Sequence, residues 1–219
     1  MKKDYKKMRK DDEHLVSLVY RPLTEKIAIL LFKTPITPTM INHLGLISAI
    51  LSGLFFSYGT YGNLIIAAIF VQLTIIFDLL DGQVARYKGM RTMFGRWYDK
   101  FLAKLTKYIM FLGATVGVYN ISKDPRILIV GTIAIVNIIT ISFIINLRIF
   151  YDFVRERREL PRTGRFFLPF GMLTTTLLTI AALTNEVKLL LWFYAIFGTL
   201  GWMKQVYTHY KYGRYVKIK

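Results

Sequence analysis

The sequence predicts an all-α integral membrane protein: six transmembrane helices preceded by a cytoplasmic amphipathic juxtamembrane helix. Three observations carry this. The 219 residues are 54% hydrophobic, which is above the usual range for a soluble domain. The apolar residues fall into long continuous runs, whereas a membrane β-barrel would alternate over strands of about ten residues. Lysine and arginine, which give a net charge of +17, gather in alternate connections between those runs.

A spanning helix needs about 20 mostly apolar residues. Six runs qualify, at Met40–Tyr58, Leu64–Leu80, Phe101–Val118, Ile127–Leu147, Phe166–Leu183 and Val187–Met203. Helices satisfy their backbone groups internally, as hydrocarbon demands. The third run carries Lys104 and Lys107 near its start, so its first turns are expected to face protein or water.

Residues 1–33, 81–107, 148–165 and 204–219 hold 9, 7, 6 and 5 basic residues, leaving only Lys123, Arg126 and Lys188 for the other side. An even number of spans with this bias puts both termini and the 77–105 stretch on the cytoplasmic side. The same bias explains the net charge without nucleic acid as a partner. The expected organisation is a basic N-terminal segment with the juxtamembrane helix (1–38), a transmembrane domain (39–207) and a basic tail (208–219). The N-terminal stretch lacks the short apolar core of a secretory signal. With no cysteine, disulfides and thiolate metal sites are excluded.

Before the first run, Leu23, Ile27, Leu30 and Leu31 share a face at helical spacing after Pro22. The segment is too short to span. It reads as an interfacial helix on the cytoplasmic surface, or as a surface helix packed on the first span; Pro35 and Pro38 end it. His14, His43 and His209 carry no assigned chemistry.

The stretch "FDLLDGQVARYKGMRTMFGRWYDKFLAKL" (77–105) stands apart. Asp78 and Asp81 are three apart on one helix and share a face; Asp99 opens the next helix. Ionisable groups at membrane depth are costly and usually functional. Salt bridges to Arg86, Arg91 or Arg96 are the alternative, but three carboxylates set among Gly82, Ala85 and Gly95 favour a ligand site. Small residues let backbones approach and leave room. Carboxylate oxygens without His or Cys suit Mg2+, Mn2+ or Ca2+. Carboxylates from two facing helices can hold two ions that clamp a diphosphate.

The spacing Asp78-x2-Asp81-Gly82-x2-Ala85-Arg86-x8-Gly95-x3-Asp99 closely resembles the signature of the CDP-alcohol phosphotransferase (CDP-alcohol phosphatidyltransferase) family, D-x2-D-G-x2-A-R-x8-G-x3-D-x3-D. The resemblance implies metal-dependent transfer of a substituted phosphate group from a CDP-activated donor to an alcohol, with release of CMP, in phospholipid or polar head-group synthesis. It implies Asp78, Asp81 and Asp99 as ligands of two Mg2+ or Mn2+ ions. Gly82, Ala85 and Gly95 would admit the nucleotide, and Arg86 would support the carboxylates or the diphosphate. It also implies a homodimer, though Gly113, Gly117 and Gly131 permit close packing without locating a partner. In "TPITPTMINHLGL" (34–46), Thr39 and Asn42 exchange the residue types usual in the family's approach to its first span. They are weaker nucleotide contacts, with helix capping as the alternative.

The last signature position holds Ala103 where the family has aspartate. That aspartate is taken as the base for the acceptor hydroxyl. Three readings follow: a deliberate substitution giving a substrate-trapping protein, a natural inactive or regulatory homologue, or an active enzyme with a base from elsewhere. The intact remainder of the motif favours the first, and the chain is expected to bind donor but turn over poorly. The donor is expected to be a CDP-linked lipid, with a soluble CDP-alcohol also open. Six arginines lie in 148–165, and Arg148 and Arg165 are placed to take a phosphorylated acceptor such as inositol phosphate or glycerol phosphate. A non-enzymatic binding protein or small transporter is the competing class. A carrier often shows internal repeats and mid-membrane polar breaks, which this sequence lacks.

Overall fold

The computed structural model describes residues 15–154 and 172–213, and side chains within those limits except at 15–18, 145–154, 209 and 211–213. The described residues form helices and no strand: α1 (Leu15–Leu31), α2 (Pro38–Tyr58), α3 (Tyr61–Tyr87), α4 (Met93–Ser122), α5 (Arg126–Val154), α6 (Met172–Leu183) and α7 (Val187–Gly213).

Local sequence sets the ends. Thr37 caps α2 by accepting from the Met40 N–H at 3.3 Å, with Pro38 in the first turn, where a missing N–H costs nothing. Gly59 closes α2 at φ 74°, its N–H donating to the Phe56 carbonyl at 3.0 Å. Thr92 caps α4 by accepting from the Gly95 N–H at 2.9 Å. At the opposite end of α4, Asp124 accepts from the N–H and Nε of Arg126, both at 3.0 Å. That guanidinium holds the Asp124 carboxyl below the usual carboxylate range.

Four helices are long and apolar enough to cross a membrane: Pro38–Tyr58, Tyr61–Tyr87, Met93–Ser122 and Arg126–Ile144. The expected count of six spans is therefore met only in part. The fifth expected span begins outside the described residues, and its described part, Met172–Leu183, has 12 residues. The sixth lies in α7, whose apolar run has Lys188 and Lys204 near its ends and falls outside that group. The helices also overrun the apolar runs. α3 has 27 residues and α4 has 30, so each exceeds the roughly 20 needed to cross. The surplus lies at the motif end, and residues 78 to 87 are helical throughout. The helix before the first span starts at Leu15 and passes through Pro22 instead of starting after it. Its buried face is Thr24 and Ala28, with Ile27 and Leu31 packed on Leu80 and Val84. Leu23 and Leu30 are exposed. It therefore rests chiefly on α3, the second span, and not on the first.

α2 is flanked by α3 on one side and α4 on the other, while α3 and α4 touch each other little. The α2–α4 contact is made by glycines. A Cβ on Gly113 would lie 2.0 Å from the Gly53 carbonyl oxygen, and one on Gly117 would lie 1.9 Å from that of Phe56. Gly131 of α5 meets Thr115 of α4 in the same way, at 2.2 Å. These glycines, read from sequence as packing residues without a known partner, are thus used within the chain.

Polar side chains stitch the rest. Ser52 donates to the Ala67 carbonyl at 3.0 Å, joining α2 to α3. Tyr20 donates to Gln72, whose Nε2 donates to Thr179 at 2.6 Å, joining α1, α3 and α6. Lys88 donates to the Thr34 and Ile36 carbonyls at 2.6 and 2.8 Å, tying the α1–α2 link to the end of α3. Asn137 of α5 is buried against α7: its Nδ2 reaches the Tyr194 and Ala195 carbonyls and Thr199 at 2.9–3.0 Å, and its Oδ1 accepts from Trp202 Nε1 at 3.0 Å. Replacing Asn137 with leucine is expected to destabilise the fold by about 1–2 kcal/mol, the range for interhelical hydrogen bonds in membranes. Thermal unfolding in detergent measures it, and an unchanged midpoint would show the network to be energetically idle.

Candidate active site

The site forms where the ends of α3 and α4 meet the start of α2. Helical spacing puts Asp78 and Asp81 on one face of α3, and the Thr92 cap starts α4 so that Asp99 arrives beside them. Asp81 is buried, at 4% exposure. Its Oδ1 accepts from the Gly82 N–H at 2.5 Å, and the Asn42 side chain of α2 lies close enough to interact with its carboxylate. Asp99 is half-buried and within hydrogen-bonding range of Asp81. Asp78, one turn deeper on α3, is exposed and close enough to Asp81 and Asp99 to feel their charge.

Two ionised carboxylates in contact repel, and a shared proton or a bound cation relieves the repulsion. Among the described residues no three His, Asp or Glu side chains already close into a metal cage. Asp81 is instead turned toward the Gly82 N–H and Asn42. From α4, half-buried Lys107 interacts with Asp78 through charge, and Lys100 with Asp99. The ion pair of Arg126 and Asp124 lies at the far end of α4, away from the motif.

The small residues divide. A Cβ on Gly82 would have only the Arg86 guanidinium nearby, at 3.9 Å, so the space over this glycine is open. Ala85 and Arg86 are half-buried. A Cβ on Gly95 would come 3.0 Å from Thr92 Oγ1, so this glycine answers to the cap of α4. Ala103 is half-buried one turn beyond Asp99. Thr39 is exposed and does not cap α2, which Thr37 does; Asn42 is in the site through Asp81. The side chain of Arg148, and all of Arg165, lie outside the described residues.

Sequence reasoning passed over His43. Its Nε2 lies 2.9 Å from the Tyr98 hydroxyl across the α2–α4 gap. Its signal was slight: a histidine beside Asn42, and a tyrosine beside Asp99.

A sequence model of the CDP-alcohol phosphatidyltransferase family matches residues 34–208. The chain belongs to that family. Among the family's proteins, it is 32% identical over 112 residues to the phosphatidylinositol phosphate synthase of Corynebacterium glutamicum, covering 51% of this chain and 50% of that one. It is 28% identical over 122 residues to that of Mycobacterium tuberculosis, covering 56% and 55%. The chain thus aligns with about half the length of these curated relatives. Crystal structures of the M. tuberculosis phosphatidylinositol phosphate synthase share the fold. The structure with CDP-DAG bound superposes with a TM-score of 0.72 at 20% identity, covering 90% of this chain and 99% of that one. The complex with manganese and citrate gives 0.70 at 20% identity, covering 90% and 93%.

Proposed function

We propose that this chain binds a CDP-linked lipid together with divalent metal, and belongs to the machinery that transfers a substituted phosphate group to an alcohol with release of CMP. The observation that carries the reading is that Asp78 and Asp81 of α3 and Asp99 of α4 lie close enough to feel one another's charge, with Asn42 beside Asp81 and open space over Gly82. The donor set fits a hard cation: all oxygen, crowded enough to need positive charge, and free of thiolate or imidazole. Asp78, Asp81 and Asp99 would hold Mg2+ or Mn2+, two ions by the family resemblance. Bound metal would neutralise the diphosphate and stabilise the departing CMP.

The chain's own residues do the rest. Asn42 and the Gly82 N–H fix the Asp81 rotamer. Gly82 and Ala85 leave the nucleotide an approach to the backbone, with Gly95 and Thr39 on its rim. Arg86 stands over Gly82 as a partner for phosphate oxygen. In the transfer, the acceptor oxygen bonds to the donor phosphorus, the bond to the CMP oxygen breaks, and the hydroxyl proton must leave. Ala103 cannot take that proton, so turnover is slow.

A lipid donor and a metal are supported by the relatives crystallised with CDP-DAG and with manganese. A phosphorylated acceptor, inositol phosphate or glycerol phosphate, is proposed with Arg148 and Arg165 as its partners; the relatives' name, phosphatidylinositol phosphate synthase, favours the first. The basic connections support six spans with both termini and the site in the cytoplasm. A homodimer, if formed, must use a surface other than Gly113, Gly117 and Gly131, which are occupied within the chain.

The test is binding of CDP-diacylglycerol to purified protein with and without Mn2+. Metal is expected to tighten binding at least tenfold, and Asp81→Asn to abolish that gain. Equally tight binding without metal would overturn the reading.

A further inference from the structure

Asp81 interacts electrostatically with Asn42 of α2 and with Asp99 of α4. The chain neighbours of those two residues are His43 and Tyr98, and they are joined to each other. His43 Nε2 and Tyr98 Oη are 2.9 Å apart, and the rings meet edge to face with centroids 5.9 Å apart at 86°. One hydrogen bond, two chain linkages and the electrostatic coupling to Asp81 thus connect Asp81, Asn42, His43, Tyr98 and Asp99 in a ring. Three helices contribute to it. α3 and α4 pack little against each other, so the placing of Asp99 against Asp81 depends on how each is held to α2.

We infer that His43 and Tyr98 are a positioning pair, whose hydrogen bond across the α2–α4 gap sets the separation at which Asn42 and Asp99 both reach Asp81. Neither residue touches substrate in this assignment; each acts through its neighbour. The inference rests on Asp81 and Asp99 as metal ligands, and it extends that reading to residues outside the motif. Groups that orient ligands in this way typically change metal affinity 10–100-fold when removed.

Tyr98→Phe is a clean probe. Tyr98 also stacks on Phe94, with centroids 5.6 Å apart at 13°, and phenylalanine keeps that stack while losing only the hydroxyl. The chain has no cysteine, and Met40 of α2 and Lys100 of α4 are exposed. Met40→Cys with Lys100→Cys therefore gives a spin-label pair that reports the α2–α4 gap without background.

Two readouts are taken on the full chain in detergent: the label distance without metal, and the Mn2+ dissociation constant by titration. Tyr98→Phe is expected to lengthen or broaden the distance distribution and to weaken Mn2+ about tenfold, with an unchanged thermal midpoint. His43→Gln, which keeps a hydrogen-bonding group at the same reach, is expected to stay within threefold of the parent. A Tyr98→Phe protein that keeps both its distance and its Mn2+ affinity overturns the inference. So does one in which only one of the two moves. If the parent binds no Mn2+, the metal reading fails, and the label distance alone then decides whether the pair sets the gap.

Discussion

Replacing Ala103 with aspartate is expected to raise CMP release by about 100- to 10,000-fold, the usual worth of a positioned general base. Ala103 stands one turn beyond Asp99 on a continuous helix of 30 residues, so residues 99 and 103 share a face. It is half-buried, which leaves room for a carboxylate without repacking the core. The gain should fall on kcat, since donor binding already has Asp78, Asp81 and Asp99. Ala103→Asn separates base from shape: it has nearly the same size, accepts no proton at neutral pH, and should stay near the parent. The measurement is CMP release with Mn2+ and CDP-diacylglycerol across a panel of acceptor alcohols and alcohol phosphates. Equal rates for alanine, asparagine and aspartate would mean that the proton leaves by another route. Inert proteins at all three would favour a binding role.

The second large effect is structural. Gly113→Ala is expected to cost about 3 kcal/mol or more, at or beyond the upper end of ordinary overpacking. The new Cβ would fall 2.0 Å from the Gly53 oxygen, 2.6 Å from its carbonyl carbon and 2.7 Å from its Cα. Backbone cannot swing aside as a side chain can, so α2 and α4 must separate. Gly62→Ala is the control, because a Cβ there meets nothing within 4 Å. Thermal unfolding and the yield of monodisperse protein should collapse for the first and match the parent for the second. If Gly113→Ala unfolds with the parent, the helices do not cross at this glycine.

The fold class was legible because continuous apolar runs admit only helices in hydrocarbon. The helix limits were less so: composition marks the apolar runs, and Thr37, Thr92 and the residues beyond 80 carry helices past them. Pro22 misled for a local reason, since a proline can sit inside a helix whose neighbours re-satisfy the freed groups. In the site, the spacing of Asp78, Asp81 and Asp99 sufficed because helix periodicity turns spacing directly into a shared face. Asn42 was weakly legible and His43 was not, because their roles depend on which helix lies beside α2, and one sequence does not say. The motif glycines were read as one group. Gly82 opens space and Gly95 serves a cap, a distinction that needs the neighbouring atoms.

The glycine crossing of α2 and α4 has a mechanical consequence. It lies near Gly53, and Asn42 lies 11 residues earlier on the same helix, an arm of about 16 Å at the helical rise. With the crossing as fulcrum, a tilt of about 5° would carry Asn42 about 1.4 Å relative to Asp99 over that arm. Metal coordination tolerates only a few tenths of an ångström. A bilayer thinner or thicker than the helices' apolar span is accommodated partly by tilt, and at this crossing such a tilt would reach the carboxylates through leverage.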